Sequence, residues 1–297
     1  MESHKILIYG SEGWIGRQFC DYLDSKGIKY FKGNVRLEDE KDLEKEILDV
    51  LPNNIIGFTG RTHGKIGNKV FSTIDYLEQD GKLYDNVRDN LFGPLNMAFI
   101  CKKYNIHYTY LGTGCIFEYD DEHPFGEEVN GFTEKSMPNF FGSSYSIVKG
   151  FTDRLLKNFE NEVLNLRIRM PINSENNPRN FITKITNYEK ICSIPNSMTV
   201  LPDFFPIILD LVIKNRTGTF NLTNPGLVSH NEILEMYKEI VDNDFSWQNF
   251  TVVEQDKILD GRRSNNYLDT KKIEEMYPEL LNIKDSVRNM LNLYKKE

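Results

Sequence analysis

The sequence lacks three things that would point to particular classes of protein: basic clusters, long apolar runs and paired cysteines. Its 297 residues carry 36 Lys and Arg against 44 Asp and Glu, a formal net charge of −8. Nucleic-acid affinity depends on clustered cations, so we expect no nucleic-acid partner. No run of about 18 apolar residues occurs, so we expect no helix that spans a membrane.

Only four cysteines occur, at Cys20, Cys101, Cys115 and Cys192. They form no Cys-x-x-Cys motif, and no histidines are spaced to complete a zinc site, so we expect neither a disulfide framework nor a bound metal. The first apolar run begins at Lys5, which leaves no place for a signal peptide. These features predict a cytoplasmic protein in a reducing compartment, without a membrane partner.

What the sequence has is a regular alternation of apolar runs and amphipathic helical patterns. Lys5–Tyr9 is a continuous apolar run, typical of a strand buried on both faces, and a helical pattern over Trp14–Ser25 follows it. The alternation continues to Pro171 and predicts an α/β fold, a doubly wound parallel sheet of the Rossmann type. The other predicted strands are Ile28–Phe31, Asn54–Phe58, Ile106–Leu111 and Val163–Met170, and the other helices are Leu37–Leu51, Leu83–Tyr104 and Ser144–Phe159.

Beyond Pro171 the rhythm changes to polar loops and helices, with one further predicted strand at Thr219–Leu222. We therefore predict a cofactor-binding Rossmann domain over residues 1–171. Residues 172–297 should form a smaller, mainly substrate-binding lobe, with some segments returning to the Rossmann core. Such a lobe is expected to cover the carboxyl ends of the strands, where α/β sheets bind ligands. The predicted helices here are Phe181–Tyr188, Phe204–Lys214, Ser229–Val241, Thr270–Tyr277 and Ile283–Tyr294.

Three glycines, Gly10, Gly13 and Gly16, lie between the first strand and the first helix, in the stretch Gly-Ser-Glu-Gly-Trp-Ile-Gly. They permit a tight turn and the close approach of a dinucleotide pyrophosphate, whose charge is stabilised at the helix start. The alternative is an ordinary turn without a ligand. The spacing resembles that of extended short-chain dehydrogenase/reductases, and we expect Trp14 and Ile15 to contact the cofactor as well.

The end of the second predicted strand bears on which dinucleotide binds. NAD sites place an acidic residue there, but this chain reads Tyr30-Phe-Lys-Gly-Asn-Val-Arg36, with no carboxylate before Glu38. Lys32 and Arg36 suit a 2′-phosphate, so we expect NADP(H) as the cofactor, with Arg36 in contact with it. The alternative is that Arg36 only caps the next helix.

Tyr145 and Lys149 form a Tyr-x-x-x-Lys motif in a predicted helix. The spacing places both side chains on one helix face, where the lysine cation lowers the pKa of the phenol and helps it to pass a proton. Two other Tyr-x-x-x-Lys matches occur, but only this one follows a strand that ends in a hydroxyl residue, Thr113. We expect Thr113, Tyr145 and Lys149 to be catalytic; the alternative is an exposed helix pair.

Cys115 lies two residues beyond Thr113. A cysteine there can serve as a base at carbon when its thiol pKa is lowered. By itself, however, the residue is more simply interpreted as a small buried apolar side chain.

Several stretches resemble the plant-type bifunctional nucleotide-rhamnose synthase/epimerase-reductases along nearly the whole chain. The resemblance implies an enzyme that epimerises C3 and C5 of a nucleoside-diphospho-4-keto-6-deoxy-D-glucose and then reduces C4 with NADPH, forming the nucleoside-diphospho-L-rhamnose. The chain departs from the plant pattern at residues 62–65, where substrate contacts are less certain. The matching stretches are Gly112–Asp120, Leu166–Ile172, Asn177–Ile185, Ile194–Val200, Thr223–Gly226, Ser229–Tyr237 and Arg263–Asn266.

The resemblance also implies roles for particular residues. Cys115 and Lys184 match the family's epimerisation pair, acting on opposite faces of the sugar ring. It implies further substrate contacts at Arg61, Thr113, Asn180, Lys184 and Arg263. We expect the following residues to contact the cofactor, from the resemblance and from the motifs above: Gly10, Gly13, Trp14, Ile15, Gly16, Arg36, Phe58, Thr59, Gly60, Asn90, Tyr145, Lys149 and Pro171.

Other interpretations stay open at this point. A 4,6-dehydratase is disfavoured because that reaction uses Thr-Asp-Glu where this chain has Thr113-Gly114-Cys115. A 4-keto-reductase without epimerisation and a non-catalytic NADP-binding regulatory subunit are the remaining alternatives. We expect a separate 4,6-dehydratase to supply the substrate. A homodimer is also expected, through the helices predicted at Leu83–Tyr104 and Ser144–Phe159. The residues do not distinguish UDP from dTDP as the carrier.

Overall fold

The computed structural model describes residues 4–294. Its main sheet has six strands in the order β2-β1-β3-β6-β7-β8, and a separate hairpin pairs β4 with β5. The strands are β1 Ile6–Tyr9, β2 Tyr30–Lys32, β3 Asn54–Gly57, β4 Gly64–Ile66, β5 Lys69–Phe71, β6 His107–Thr113, β7 Val163–Ile168 and β8 Gly218–Asn221.

Strand β1 is the turning point of the sheet. It pairs in parallel with β2 on one side and with β3 on the other, so that Ile6 lies opposite both Tyr30 and Asn54. Strand β3 in turn pairs in parallel with β6. Chain order therefore reverses direction at β1 and β3, the place where doubly wound sheets bind ligands at the carboxyl ends of their strands. The predicted Rossmann-type fold is confirmed.

The core strands form where the sequence is continuously apolar. Every residue of β1, β3 and β7 is buried, as expected for strands covered on both faces. Most of the helices lie between strands along the chain, and the rest follow β8. They are α1 Trp14–Ser25, α2 Glu40–Val50, α3 Lys82–Val87, α4 Gly93–Tyr104, α5 Ser144–Leu156, α6 Phe181–Thr186, α7 Leu201–Ile213, α8 His230–Ile240, α9 Val252–Gln255, α10 Lys271–Met276 and α11 Ile283–Leu293. No helix in this part of the chain has the length and apolar character needed to cross a bilayer.

The long helix predicted over Leu83–Tyr104 is present, since α3, a π-helical turn and α4 follow one another without a break. This π-helix, Arg88–Phe92, lies between α3 and α4. Pro94 has no N–H to donate to the carbonyl four residues earlier, at Asn90. The Thr152 hydroxyl, on α5, donates to the carbonyl of Asn90 instead, at 2.6 Å. This carbonyl therefore has a hydrogen-bond partner although Pro94 cannot supply one.

Three short elements have no counterpart in the prediction: the β4–β5 hairpin, the 3-10 helix Ile74–Glu78 and helix α9. The hairpin turns at Gly67, whose φ is +57°. Each element is too short to display a clear periodicity, and hairpin pairing depends on the partner strand. Helix α8 starts with a capping box, in which Ser229 and Glu232 are bonded reciprocally.

The chain forms two compact units, each assembled from several segments. Unit 1 comprises Met1–Thr113, Ser144–Arg167 and Phe205–Phe220, and unit 2 comprises Gly114–Ser143, Ile168–Phe204 and Asn221–Glu297. Each has its own apolar core; that of unit 2 includes Ile182, Ile233 and Val287. The predicted domains, residues 1–171 and 172–297, stay a prediction.

Candidate active site

Close approaches shape the glycine turn that follows β1. Gly10 has φ +77°, and a Cβ on it would lie 2.9 Å from the carbonyl carbon of Phe58. A Cβ on Gly16 would lie 2.1 Å from the Gly10 oxygen, which no side chain could tolerate. Gly13 is the N-cap of α1 and offers no side-chain cap. The glycines let the turn pack closely on its own backbone and on the segment after β3, and the start of α1 here suits an anionic group such as a pyrophosphate.

One buried amide holds the segment that follows β3. Asn90 accepts a hydrogen bond from the Arg61 N–H at 2.9 Å and donates one to the Arg61 carbonyl at 2.8 Å. It also donates to Asn86, and a Cβ on Gly60 would lie 3.2 Å from the Asn90 oxygen. Asn90 therefore fixes the shape of residues 59–61 near the glycine turn.

The hydroxyl of Thr59 tests whether these residues fit a dinucleotide. Its Oγ1 is buried and has no hydrogen-bond partner within residues 4–294. A buried hydroxyl is costly unless it is bonded, so a bound molecule with a polar atom would supply what is missing. Together with the helix start at the glycine turn, this hydroxyl fits a dinucleotide placed across β1 and β3.

Arg36 belongs to a charged cluster on unit 1. Its guanidinium forms ion pairs with Glu38 and, at 2.8 Å, with Asp89. Asp89 also accepts from Arg61 and Arg88. Burial raises the pKa of Asp89, but hydrogen bonds from Arg88 and Arg61 hold it below its usual range. Arg88 also pairs with Asp85 at 3.3 Å, so the three guanidinium groups of this cluster lie among three carboxylates.

Tyr145 and Lys149 lie one turn apart on α5, as predicted. Lys149 is buried and donates a hydrogen bond to the phenol of Tyr110 on β6, with its ammonium 4.5 Å from the centre of that ring. Thr113 is buried at the end of the same strand. The prediction missed Tyr110, whose only signal is its position three residues before Thr113 in an otherwise apolar run.

Cys115 lies in unit 2, in a segment fixed by the fully buried Arg169. The Arg169 guanidinium donates to the carbonyl of Gly114 at 3.0 Å and to both oxygens of Ser264. The amide of Asn266 donates to the same Gly114 carbonyl. Cys115 and Arg169 also interact electrostatically. The backbone beside the thiol is therefore tightly held, which the sequence alone did not indicate.

Lys184 lies on α6 of the same unit. Burial, followed by the positive charges of Arg179 and Arg263, lowers the pKa of Lys184 to about 8, while Cys115 has a small opposing effect. The interaction with Cys115 means that this unit brings the two predicted epimerisation residues into one electrostatic environment. Arg179, which the prediction missed, is itself half buried, and burial lowers its pKa.

Two other predicted site residues hold the start of α6. Asn180 is fully buried and is the N-cap, accepting from the Ile182 N–H and donating to the carbonyls of Asn173 and Glu175. The Pro171 carbonyl accepts from the Phe181 N–H at 3.0 Å. These bonds orient the helix that carries Lys184, and direct contacts of Asn180 with substrate and of Pro171 with cofactor stay predictions.

The predicted site residues thus fall into two groups. Unit 1 holds the glycine turn, residues 58–61, Asn90, Thr113, Tyr145 and Lys149, and unit 2 holds Cys115, Pro171, Asn180, Lys184 and Arg263. Within residues 4–294, no group of three or more His, Cys, Asp or Glu side chains could hold a metal ion. Within the same residues, the four cysteines form no disulfide bond.

A Rossmann sheet with a glycine turn after β1, a threonine at the end of β6 and a Tyr-x-x-x-Lys helix defines an enzyme of the extended short-chain dehydrogenase/reductase class. More narrowly, the chain belongs to the NAD dependent epimerase/dehydratase family, whose model matches residues 6–187.

Two relatives are similar over nearly their whole length. The L780 protein of Acanthamoeba polyphaga mimivirus is 52% identical over 291 residues, covering 98% of this chain and 99% of that protein. A bifunctional dTDP-4-dehydrorhamnose 3,5-epimerase/dTDP-4-dehydrorhamnose reductase of Arabidopsis thaliana is 45% identical over 289 residues, covering 96% and 91%. The predicted resemblance to the plant-type enzymes is confirmed, as is the prediction of an enzyme.

Two solved structures are also similar to this chain along nearly its whole length. The crystal structure of L780, described as a UDP-rhamnose synthase, matches with a TM-score of 0.93 over 98% of this chain and 99% of that one. A dTDP-4-dehydrorhamnose reductase from Bacillus anthracis, solved in complex with NADP, matches with a TM-score of 0.77 over 98% of both chains. At 14% identity, the second likeness shows the fold alone.

Proposed function

We propose that this protein is a bifunctional 3,5-epimerase and NADPH-dependent 4-keto-reductase. Its substrate is a nucleoside-diphospho-4-keto-6-deoxy-D-glucose and its product the nucleoside-diphospho-L-rhamnose. The names of the two relatives, a UDP-rhamnose synthase and a dTDP-4-dehydrorhamnose epimerase/reductase, support this proposal. The observation that carries it is the placement of Cys115 and Lys184 in one unit, where they interact electrostatically and the pKa of the largely buried Lys184 is lowered to about 8.

The epimerase half follows from the acidity of the substrate. A 4-keto group acidifies the hydrogens on C3 and C5, so inversion needs one residue to remove a proton and another to return one to the opposite face. Lys184 suits either role, because a lysine with a pKa near 8 exchanges protons readily at neutral pH. Cys115 is its partner on the other face. Each inversion removes one proton and returns one, and needs no redox change.

The reductase half uses unit 1. The bound nicotinamide supplies a hydride to C4. Tyr145 donates a proton to the C4 oxygen, Thr113 donates a hydrogen bond to the same oxygen, and the Lys149 cation favours the tyrosinate that remains. Thr113-Gly114-Cys115 lacks the acidic residues of a 4,6-dehydratase, which supports reduction over dehydration.

We assign the cofactor as NADP(H) from the charges at the end of β2. Arg36, half exposed within its cluster, would pair with a 2′-phosphate in place of one carboxylate. Lys32 forms an exposed pair with Glu12 at 2.8 Å and can exchange partners at little cost. Substrate would come from a 4,6-dehydratase, and its being a separate chain stays a prediction.

Product analysis tests the function directly. The protein is incubated with the UDP- and dTDP-linked 4-keto-6-deoxy-glucose and NADPH, and the products are identified by NMR. We expect the L-rhamnose product with at least one carrier, and the carrier that turns over faster identifies the natural nucleotide. A 4-reduced sugar without inversion would leave a simple reductase, and no NADPH oxidation would leave a regulatory protein.

The Cys115→Ser variant separates the two half-reactions. We expect solvent deuterium incorporation at C3 and C5 to collapse, while reduction of an already epimerised ketosugar persists, because serine is a much weaker proton acceptor. Cys192→Ser, a buried thiol of the same unit, is the matched control and should keep both activities. Undiminished exchange in Cys115→Ser would contradict the role of the thiol.

A further inference from the structure

Tyr110 and Lys149 form a buried contact between β6 and α5. Lys149 donates to the Tyr110 phenol, and its ammonium lies 4.5 Å from the ring centre, so both the hydroxyl and the ring face hold it. Both side chains are almost completely buried, at 5% and 1% exposure. A lysine side chain has several rotatable bonds, and this contact restricts them.

The acceptor is a neutral group. Burial raises the pKa of Tyr110 well above its ordinary value, so the phenol is protonated at neutral pH. A carboxylate in the same place would cancel the charge of the ammonium. A neutral phenol fixes the position of the ammonium and leaves its charge available to Tyr145, one turn away on the same helix.

We propose that Tyr110 is a positioning residue of the reductase half-reaction: its phenol fixes the Lys149 ammonium on the face of α5 that carries Tyr145. The inference rests on the function proposed above, because it assigns Tyr110 a role in the proton transfer from Tyr145. It adds to that function a residue which makes no contact with the reacting atoms and acts only through Lys149.

The chain offers a matched control two residues away. Tyr108 lies on the same strand and is fully buried, but its hydroxyl has no hydrogen-bond partner within residues 4–294. That hydroxyl lies against Gly57 of β3, 3.1 Å from where a Cβ would stand. Tyr108→Phe therefore removes the same atom from the same strand without touching Lys149.

The test compares wild type, Tyr110→Phe and Tyr108→Phe in NADPH-dependent ketosugar reduction across pH. We expect Tyr110→Phe to lower kcat about tenfold, the loss typical of a hydrogen bond to a charged group. The alkaline limb of its profile should move about one pH unit upward, because a less firmly placed cation favours the tyrosinate less. KM for the ketosugar should stay unchanged, and Tyr108→Phe should match wild type in every respect.

A binding measurement shows whether Tyr110 acts through Lys149. We expect Tyr110→Phe to weaken NADPH binding, followed by its fluorescence, and to have no further effect in a Lys149→Met background. Thermal midpoints of all variants establish that they are folded. An unshifted alkaline limb in Tyr110→Phe, or an equal shift in Tyr108→Phe, overturns the proposal, as does an undiminished effect in the Lys149→Met background. Wild type without turnover overturns the proposed function as well, whereas turnover with an unshifted limb overturns this inference alone.

Discussion

Lys184, for which we propose a catalytic role, should lower the stability of the fold. Its side chain is largely buried, and Arg179 and Arg263 add like charge around it. The folded pKa, about 8, is below the ordinary value of 10.5, so the unfolded chain binds more protons between those two pH values. The free energy of unfolding therefore decreases as pH falls from about 10.5 to 8, and it stays lower at neutral pH. The decrease caused by Lys184 is on the order of 3 kcal/mol.

Replacing this charge should stabilise the protein. We expect Lys184→Met to raise the free energy of unfolding at pH 7 by roughly 1–3 kcal/mol, since the methionine fits an apolar site without a buried charge, and to abolish deuterium exchange at C3 and C5. The gain should shrink towards pH 10.5. Urea unfolding at several pH values measures it.

Lys190→Met, which removes an exposed lysine of the same unit, is the control and should change stability little. A Lys184→Met protein that is less stable than wild type at pH 7 would contradict the argument.

At the scale of single elements, helix α5 carries both residues for which we propose the proton transfer of the reductase reaction. Besides Tyr145 and Lys149 it carries Asp153, which accepts two hydrogen bonds from the fully buried Arg167 on β7, at 2.8 and 2.7 Å. Asn165 donates to the same carboxylate. This ion pair holds α5 against the sheet, one helical turn from Lys149.

Breaking the pair should cost more than a surface ion pair would. We expect Asp153→Asn to lower the free energy of unfolding by about 3 kcal/mol, because it leaves the Arg167 charge buried without its counter-ion. The exposed pair of Asp21 with Arg17, at 3.3 Å, gives the control, and Asp21→Asn should change stability by less than about 1 kcal/mol. Denaturant unfolding measures both, and equal effects would show that the buried pair has no special role.

The helices also show where sequence patterns succeed and fail. Helix α1 begins and ends where the pattern predicts, because an amphipathic face between two glycines is a local signal. The helix predicted over Leu83–Tyr104 is present as well, but the pattern did not indicate its π-helical turn at Arg88–Phe92, where Thr152, far along the chain, donates to the carbonyl of Asn90. The sequence could not reveal that the carbonyl of Asn90 would find a partner there.

At the scale of the whole molecule, two neighbouring helices expose rows of large apolar side chains. Phe92 and Phe99 lie two turns apart along the π-helix and α4, and Phe151 and Leu155 lie one turn apart on α5. Phe99 is 62% exposed and Phe151 56%. Exposed apolar rows of this kind are typical of protein interfaces, and they lie on the helices for which we predict dimerisation. We propose that a second copy of the chain covers them.

Charge on this face should separate the two copies. We expect Phe99→Lys to convert a dimer into a monomer of about 35 kDa, because a dimer would have to bury the lysine, and light scattering measures the mass. Leu293→Lys, at a similarly exposed apolar position on α11, should leave the mass unchanged. A wild-type protein that is monomeric at all concentrations would contradict the proposed dimer.

The sequence by itself determined the order of strands and helices, the glycine turn and the Tyr-x-x-x-Lys helix, because each of these depends on residues within a turn or two of one another. It also indicated Cys115 and Lys184, through a family resemblance. Only the tertiary structure decided what fixes these groups. Tyr110 beneath Lys149 and Arg169 beside Gly114 join residues separated by 39 and 55 positions. Such contacts exist only once the strands have paired and side chains distant in sequence are packed together in a core without water.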